Sequence, residues 1–176
     1  NYAAINFANR LILGAENVDV EAGTAEETEK NVILGQAHAI RAFANFQLLS
    51  YFSENIKDDS SLGIILLDYV PLNTDQSPRS TTGEIFEFIE ADLAFADANL
   101  ATTLVTNRTF IGQNFVKAFK ARMAAYRGDY ALAKTYVDDL DATYNLTPKA
   151  QYAAIWLDSE TPGSEVIFKL ERTRTA

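Results

Sequence analysis

The sequence predicts an all-α protein built from helical pairs, with one short strand near the C-terminus. Three observations predict it. Apolar residues recur at three- and four-residue steps over most of the chain. Two Thr-x-x-Glu signals, at Thr24 and Thr81, each open a long apolar stretch. A Gly128-Asp129 turn separates two segments with helical periodicity, and small Ala124 and Ala125 precede it.

Taken in order, YAAINFANRLIL (2–13) places Ile5, Ala8 and Ile12 on one helix face and runs into Gly14, a common helix stop. After a polar loop, Thr24 and Glu27 have capping-box spacing, so a helix is expected from there to about Phe52. Ile33, Ala37, Ile40, Ala44, Leu48 and Tyr51 repeat at helical steps, and Phe43 and Phe46 widen the stripe. A helix apolar over so much of its surface packs on several sides. Residues 53–63 read as a polar loop, and IILLDYVP (64–71) reads as extended because Pro71 disfavours a helix before it. A second loop leads to Thr81-Thr-Gly-Glu84, after which Ile85, Ile89, Leu93, Ala96 and Leu100 line one face.

Beyond a loop near 101–111, Phe115, Phe119, Arg122 and Tyr126 step along one side of a further helix. Gly128 ends it and Asp129 caps the next, in which Tyr130, Ala133, Val137 and Leu140 form the expected buried face. Thr147-Pro148 starts a short helix to about Trp156, since proline at the first helical position loses no needed hydrogen bond. SEVIFKLER (164–172) has the alternation and β-branching of a strand. The small residues, Tyr126, Gly128-Asp129-Tyr130 and Ala133 together form the turn of a tetratricopeptide-like helix pair. Pairs of this kind build supporting or concave surfaces and carry no chemistry of their own.

Composition narrows function. The chain has 176 residues, enough for one domain, and no apolar run long enough to span a bilayer. Its start carries no basic-then-apolar leader. Without cysteine there are no disulfides or thiolate metal sites, and the lone His38 leaves no His-rich metal site. The net charge of −9 is uneven: residues 1–107 carry 5 basic and 16 acidic groups, whereas 108–134 carry 6 basic groups against Asp129 alone. An acidic chain suits nucleic acid poorly, because basic groups drive that binding. The basic stretch reads as a solvated face or an internal partner for the acidic first half.

The order FANRLIL (7–13), ILGQAHAIRAFANFQLLSYF (33–52), SLGIILLDYVP (61–71), SPRSTTGEIFEFIEADLAFA (77–96), AFKARMAAYRGDYALAK (118–134) and SEVIFKL (164–170) resembles the SusD/RagB family. The resemblance implies a tetratricopeptide-like helical scaffold with a more irregular ligand-binding part set against it. It implies a surface lipoprotein of Bacteroidota that captures glycans or other nutrients beside a SusC-like TonB-dependent transporter in the outer membrane. Family members are longer, so residues 1–176 are expected to form a single domain that is a fragment of a longer chain. The lipid-bearing cysteine is absent, and membrane anchoring rests on the family alone.

Arg41 stands on an apolar helix face, where an arginine packs its stem in the core and ties helix ends or a buried carboxylate together. The block match places Arg41, Arg79 and Asp92 at scaffold positions, and Gly128 at the helix-pair turn. Arg41's partner is left open between Arg79 and Asp92. Sugar binding needs flat aromatic rings beside planar polar groups that bond pairs of hydroxyls. In the family the loop after the Arg41 helix contributes to the ligand face. The candidates are therefore Tyr51, Asn55, Asp58, Asp59, Tyr69, Asn73, Asp75 and Gln76, with Glu54, Lys57 and Arg79 beside them. Trp156 is a candidate stacking platform, but in a short helix with Tyr152 and Ile155 it is expected to be buried.

No catalytic residue, metal site or cofactor is expected. His38 lacks a nucleophile-elbow partner, and neither Asp58-Asp59 nor Asp138-Asp139-x-Asp141 has the ligand pattern of a calcium loop. The leading expectation is non-enzymatic capture of a glycan or other nutrient and its delivery to the transporter. The alternative is a tetratricopeptide-type protein-interaction scaffold. A glycoside hydrolase would need two carboxylates facing each other across a cleft, and nothing in the sequence pairs any.

Overall fold

Two threonines and one glycine set most of the helix boundaries. Thr24 starts the longest helix by accepting the Glu27 amide at 3.3 Å, while the Glu27 carboxylate reaches one residue further back, to the Gly23 amide at 2.6 Å. At Thr81 the reciprocal box closes completely: its hydroxyl accepts the Glu84 amide at 3.2 Å and Glu84 accepts the Thr81 amide at 2.7 Å. Gly128 has φ +86°, a left-handed conformation that ends one helix, and the Asp129 carboxylate accepts the Leu132 amide at 3.0 Å to begin the next.

The computed structural model describes residues 1–72, 74–102, 107–156 and 165–170, apart from the side chain of Ala154. These form α1 (Tyr2–Ala15), α2 (Ala25–Phe52), α3 (Thr82–Asn99), α4 (Gln113–Arg127), α5 (Tyr130–Asp141) and a 3-10 helix (Lys149–Trp156). The chain is thus mainly helical, as its periodicity predicts. Helix α2 packs along α1 on one side and α3 on the other, and α4 packs along α5. The two groups meet where α4 reaches α3 and α2.

The core lies around α2. Ile5 and Ala8 from α1, Ala39, Ala42, Phe46 and Leu49 from α2, and Ile85, Ile89, Leu93 and Ala96 from α3 are buried together. An aromatic seam joins this group to α4. Phe46 stands edge-on to Phe119 at 5.4 Å and to Tyr126 at 5.3 Å, and Phe43 meets Phe119 at 5.6 Å.

Several expectations change. The buried part of α2 is made largely of small residues, which let α1 and α3 come close. Ile33, Ile40 and Tyr51, expected in the stripe, are exposed, while Ala37, Ala44 and Leu48 are buried. On α5 only Leu140 of the expected face is buried; Tyr130 and Val137 are exposed because α5 packs on α4 alone. No strand forms among the described residues. Segment 165–170 ties to the turn before α4 through a hydrogen bond from the Lys169 amide to the Arg108 carbonyl at 2.8 Å, without a sheet ladder. Elsewhere Leu62 and Thr81 make an isolated antiparallel bridge. Beside it, Gly63 sits so close to Ile85 that an added Cβ would overlap it, with the Ser80 carbonyl 3.1 Å away.

Candidate functional site

Of the charged residues in the helices, Arg41 and Asp92 are the most deeply enclosed, at 6% and 3% exposure. Their pairing is bidentate: Nε donates to one Asp92 oxygen at 2.8 Å and Nη2 to the other at 2.6 Å. Arg41 Nη1 donates to the Asn9 side-chain oxygen at 2.8 Å, and the Asn9 amide donates to the carbonyls of Leu67 (3.0 Å) and Tyr69 (2.7 Å). His38 Nδ1 lies 2.6 Å from Asp92, and its ring rests on Phe95 with centroids 4.4 Å apart. Phe88 covers the guanidinium at 4.7 Å. One polar cluster therefore joins α1, α2, α3 and segment 64–70, and of the two partners left open for Arg41 it is Asp92. The bonds enclosing His38 and Asp92 run to one another and to Arg41, with no serine hydroxyl among them.

Arg79 does comparable work at the loop. Its Nε donates to the Gly63 carbonyl at 2.8 Å, and Nη2 donates to the carbonyls of Phe52 (3.0 Å) and Leu62 (3.1 Å). It thereby satisfies an orphan carbonyl at the end of α2 and holds both ends of loop 53–62. The loop in turn holds α3: the Thr82 amide donates to the Ser61 carbonyl at 2.8 Å and the Gly83 amide to that of Asp59 at 3.0 Å.

The sequence-predicted ligand residues fall in two places. Tyr51, 76% exposed, ends α2 beside loop 53–62. In that loop Asn55 accepts the Lys57 amide (3.1 Å), Asp58 accepts the Ser60 amide (2.9 Å) and hydroxyl (2.7 Å), and Asp59 pairs with Arg127 at 2.7 Å. The Ser60 hydroxyl, with its amide, holds the Asp58 carboxyl below the usual carboxylate range. Tyr69 and the 72–77 turn form the second place. The Tyr69 hydroxyl meets that of Ser77 at 3.0 Å, and Asp75 accepts the Leu72 amide at 2.8 Å. Gln76 is exposed there, and Asn73 lies outside the described residues. The first place is fixed against α3 and α4, the second against α1. The basic stretch resolves in part into internal pairs, with Lys117–Asp139 and Lys134–Asp138 joining Arg127–Asp59.

The sequence reading missed a third feature. Between α4, the 3-10 helix and segment 165–170 lies a trough of about 740 Å³ lined mostly by apolar side chains, Phe43, Phe115, Phe119 and Phe168 among them. Phe168 stands edge-on to Phe115 at 5.2 Å. Trp156 and Tyr152, also on its lining, form a T-shaped pair with centroids 6.2 Å apart. Trp156, expected to be buried, is 68% exposed. Among the described residues there is no cluster of acidic and histidine side chains able to hold a metal ion, and no helix long and apolar enough to cross a membrane.

No family model and no curated protein matches the chain. Solved structures do. A SusD superfamily protein from Bacteroides thetaiotaomicron superposes with a TM-score of 0.82 over 98% of this chain, at 24% identity. A SusD superfamily protein from Bacteroides vulgatus gives 0.78 over 99% at 25% identity. A SusD-like carbohydrate binding protein from the same species gives 0.72 over 87%, also at 25%. The chain spans only 38%, 40% and 32% of their respective lengths. The fold is that of the SusD superfamily, as the block order anticipates.

Proposed function

We propose that this chain is the helical scaffold of a SusD-like binding protein that captures a glycan at the cell surface without chemically altering it. The carrying observation is the likeness over 87% of the chain to a protein described as SusD-like and carbohydrate binding. The geometry is consistent with a rigid support. Loop 53–62 stands on the surface but is tied down at both ends by Arg79, which lowers the ordering cost of binding. Tyr51, Asn55, Asp58, Asp59, Tyr69, Asp75 and Gln76, with Asn73, are the groups offered to hydroxyls, while Arg41, Asp92, Arg79 and Gly128 hold the scaffold beneath them.

In this reading residues 1–176 are one domain of a longer surface lipoprotein, and the glycan passes to a SusC-like TonB-dependent transporter in the outer membrane. The outward face of α5, with exposed Tyr130 and Val137, favours a protein contact as well. The test is native electrophoresis of the protein through gels containing individual polysaccharides, with chromatography of any released sugar. Retardation by a polysaccharide with no product is the expected result. Released oligosaccharide would replace this reading with a hydrolase. Unretarded migration through every gel would leave the interaction scaffold as the better account.

A further inference from the structure

We propose that Asn9, buried in α1, is the positioning residue for Tyr69 and fixes where that ring is offered to a sugar, an inference that rests on the glycan-binding reading above. The segment that carries Tyr69 has no sheet to hold it. The Ser80 amide donates to the Ile64 carbonyl at 2.8 Å, and among the described residues no backbone–backbone hydrogen bond is made by 65–71 beyond it. Side chains of α1 hold the segment instead. The Tyr2 hydroxyl donates to the Ile65 carbonyl at 3.0 Å, and the Asn9 amide donates to the Leu67 and Tyr69 carbonyls at 3.0 and 2.7 Å. Carbonyls at every second residue thus receive from one helix the donors that a neighbouring strand would supply.

Asn9 is itself fixed. Its Nδ2 faces two carbonyls and its Oδ1 accepts Arg41 Nη1 at 2.8 Å; turned over, the amide would set donor against donor and acceptor against acceptors. At 3% exposure it is shielded from water that could compete for these bonds. The buried Arg41–Asp92 pair therefore extends, through one asparagine, to the backbone of Tyr69. Tyr69 is 42% exposed, and its hydroxyl meets that of Ser77 at 3.0 Å. A ring held in place before the sugar arrives binds better than one that must be ordered by it, because ordering on binding is subtracted from affinity. If the same bonds served only to satisfy buried carbonyls, their loss would weaken binding whether or not Tyr69 were present.

That difference is the test. Asn9→Asp keeps the shape and the acceptor for Arg41 but removes both donated hydrogens. It is compared with the wild type, Tyr69→Ala and the double variant by retardation in native gels of starch, laminarin, xylan and pectin, with urea midpoints measured alongside. Asn9→Ser takes its place in the cycle if Asn9→Asp folds poorly. In the gel that retards the wild type most, each single variant is expected to weaken binding about three- to tenfold. The double variant is expected to bind no more weakly than Tyr69→Ala alone, because Asn9 acts through that ring. A loss from the Asn9 variant that persists in full without Tyr69 would overturn the assignment and leave a merely structural asparagine. Unchanged affinity in either single variant would also overturn it, with the glycan reading intact. Unretarded wild type in every gel would remove both.

Discussion

At the scale of single residues, the Arg41–Asp92 pair sets the largest expected effect. Removing one partner of a buried, hydrogen-bonded ion pair leaves the other charge without compensation, at about 3–5 kcal/mol. Arg41→Ala should therefore lose a large share of a typical domain stability of roughly 5–15 kcal/mol. Replacing both, as Arg41→Met with Asp92→Leu, should be milder than either single change because no charge is stranded. Urea denaturation of Arg41→Met, Asp92→Leu and the double variant checks this ordering, and a double variant worse than both singles would refute it. The arginine's structural setting was legible from its apolar neighbours. Its partner was not, because Asp92 is one acid among several on α3 and lies 51 positions away. Trp156, expected to be buried in its short helix, instead lies exposed on a 3-10 helix.

At the scale of elements, the caps matter most. Thr81→Ala should cost about 1 kcal/mol by releasing the Glu84 amide at the start of α3. Glu84 also titrates with this box. The Thr81 amide, and then its hydroxyl, hold the Glu84 carboxyl below its ordinary 4.5. A depressed folded-state value means the contribution is complete above pH 4.5 and fades as pH falls through the folded value. NMR titration of Glu84 should give a midpoint below 4.5 in the wild type and a return toward it in Thr81→Ala; equal midpoints would contradict the cap. Gly128→Ala should cost about 1–2 kcal/mol, since φ +86° strains any residue with a Cβ. The nearest neighbour of that Cβ, Lys57 Nζ at 3.4 Å, is a flexible tip, so backbone strain supplies the cost. Thermal melts of the purified variant measure it.

Helix positions were readable because caps and periodicity are local. Which faces are buried was less so. On α2 the alanines, rather than the larger Ile33 and Ile40, meet the neighbouring helices, since close approach rewards small side chains. On α5 the periodic face is real, but only α4 packs against it, so Tyr130 and Val137 stay in water. The strand expected over 164–172 lies partly outside the described residues, and within 165–170 the backbone bonds to Arg108 rather than to a partner strand.

At the scale of the whole molecule, two surface loops and an aromatic trough are set on a helical frame. Block order made the frame legible before any geometry was known. The trough was not legible, because Phe43, Phe115, Phe168 and Trp156 are spread over more than 110 positions and meet only in the fold. Loop 53–62 buttresses α3 through Ser61 and Asp59, so loosening it should disturb frame and surface together. Arg79→Ala should lower stability and weaken glycan binding in the same variant, as denaturation and gel retardation would measure. The central claim is capture without chemistry, and isothermal calorimetry of the full chain against a panel of oligosaccharides, with the recovered sugar sized afterwards, tests it most directly. Saturable heat with the sugar returned intact is predicted; shortened sugar, or no heat from any member of the panel, would contradict it.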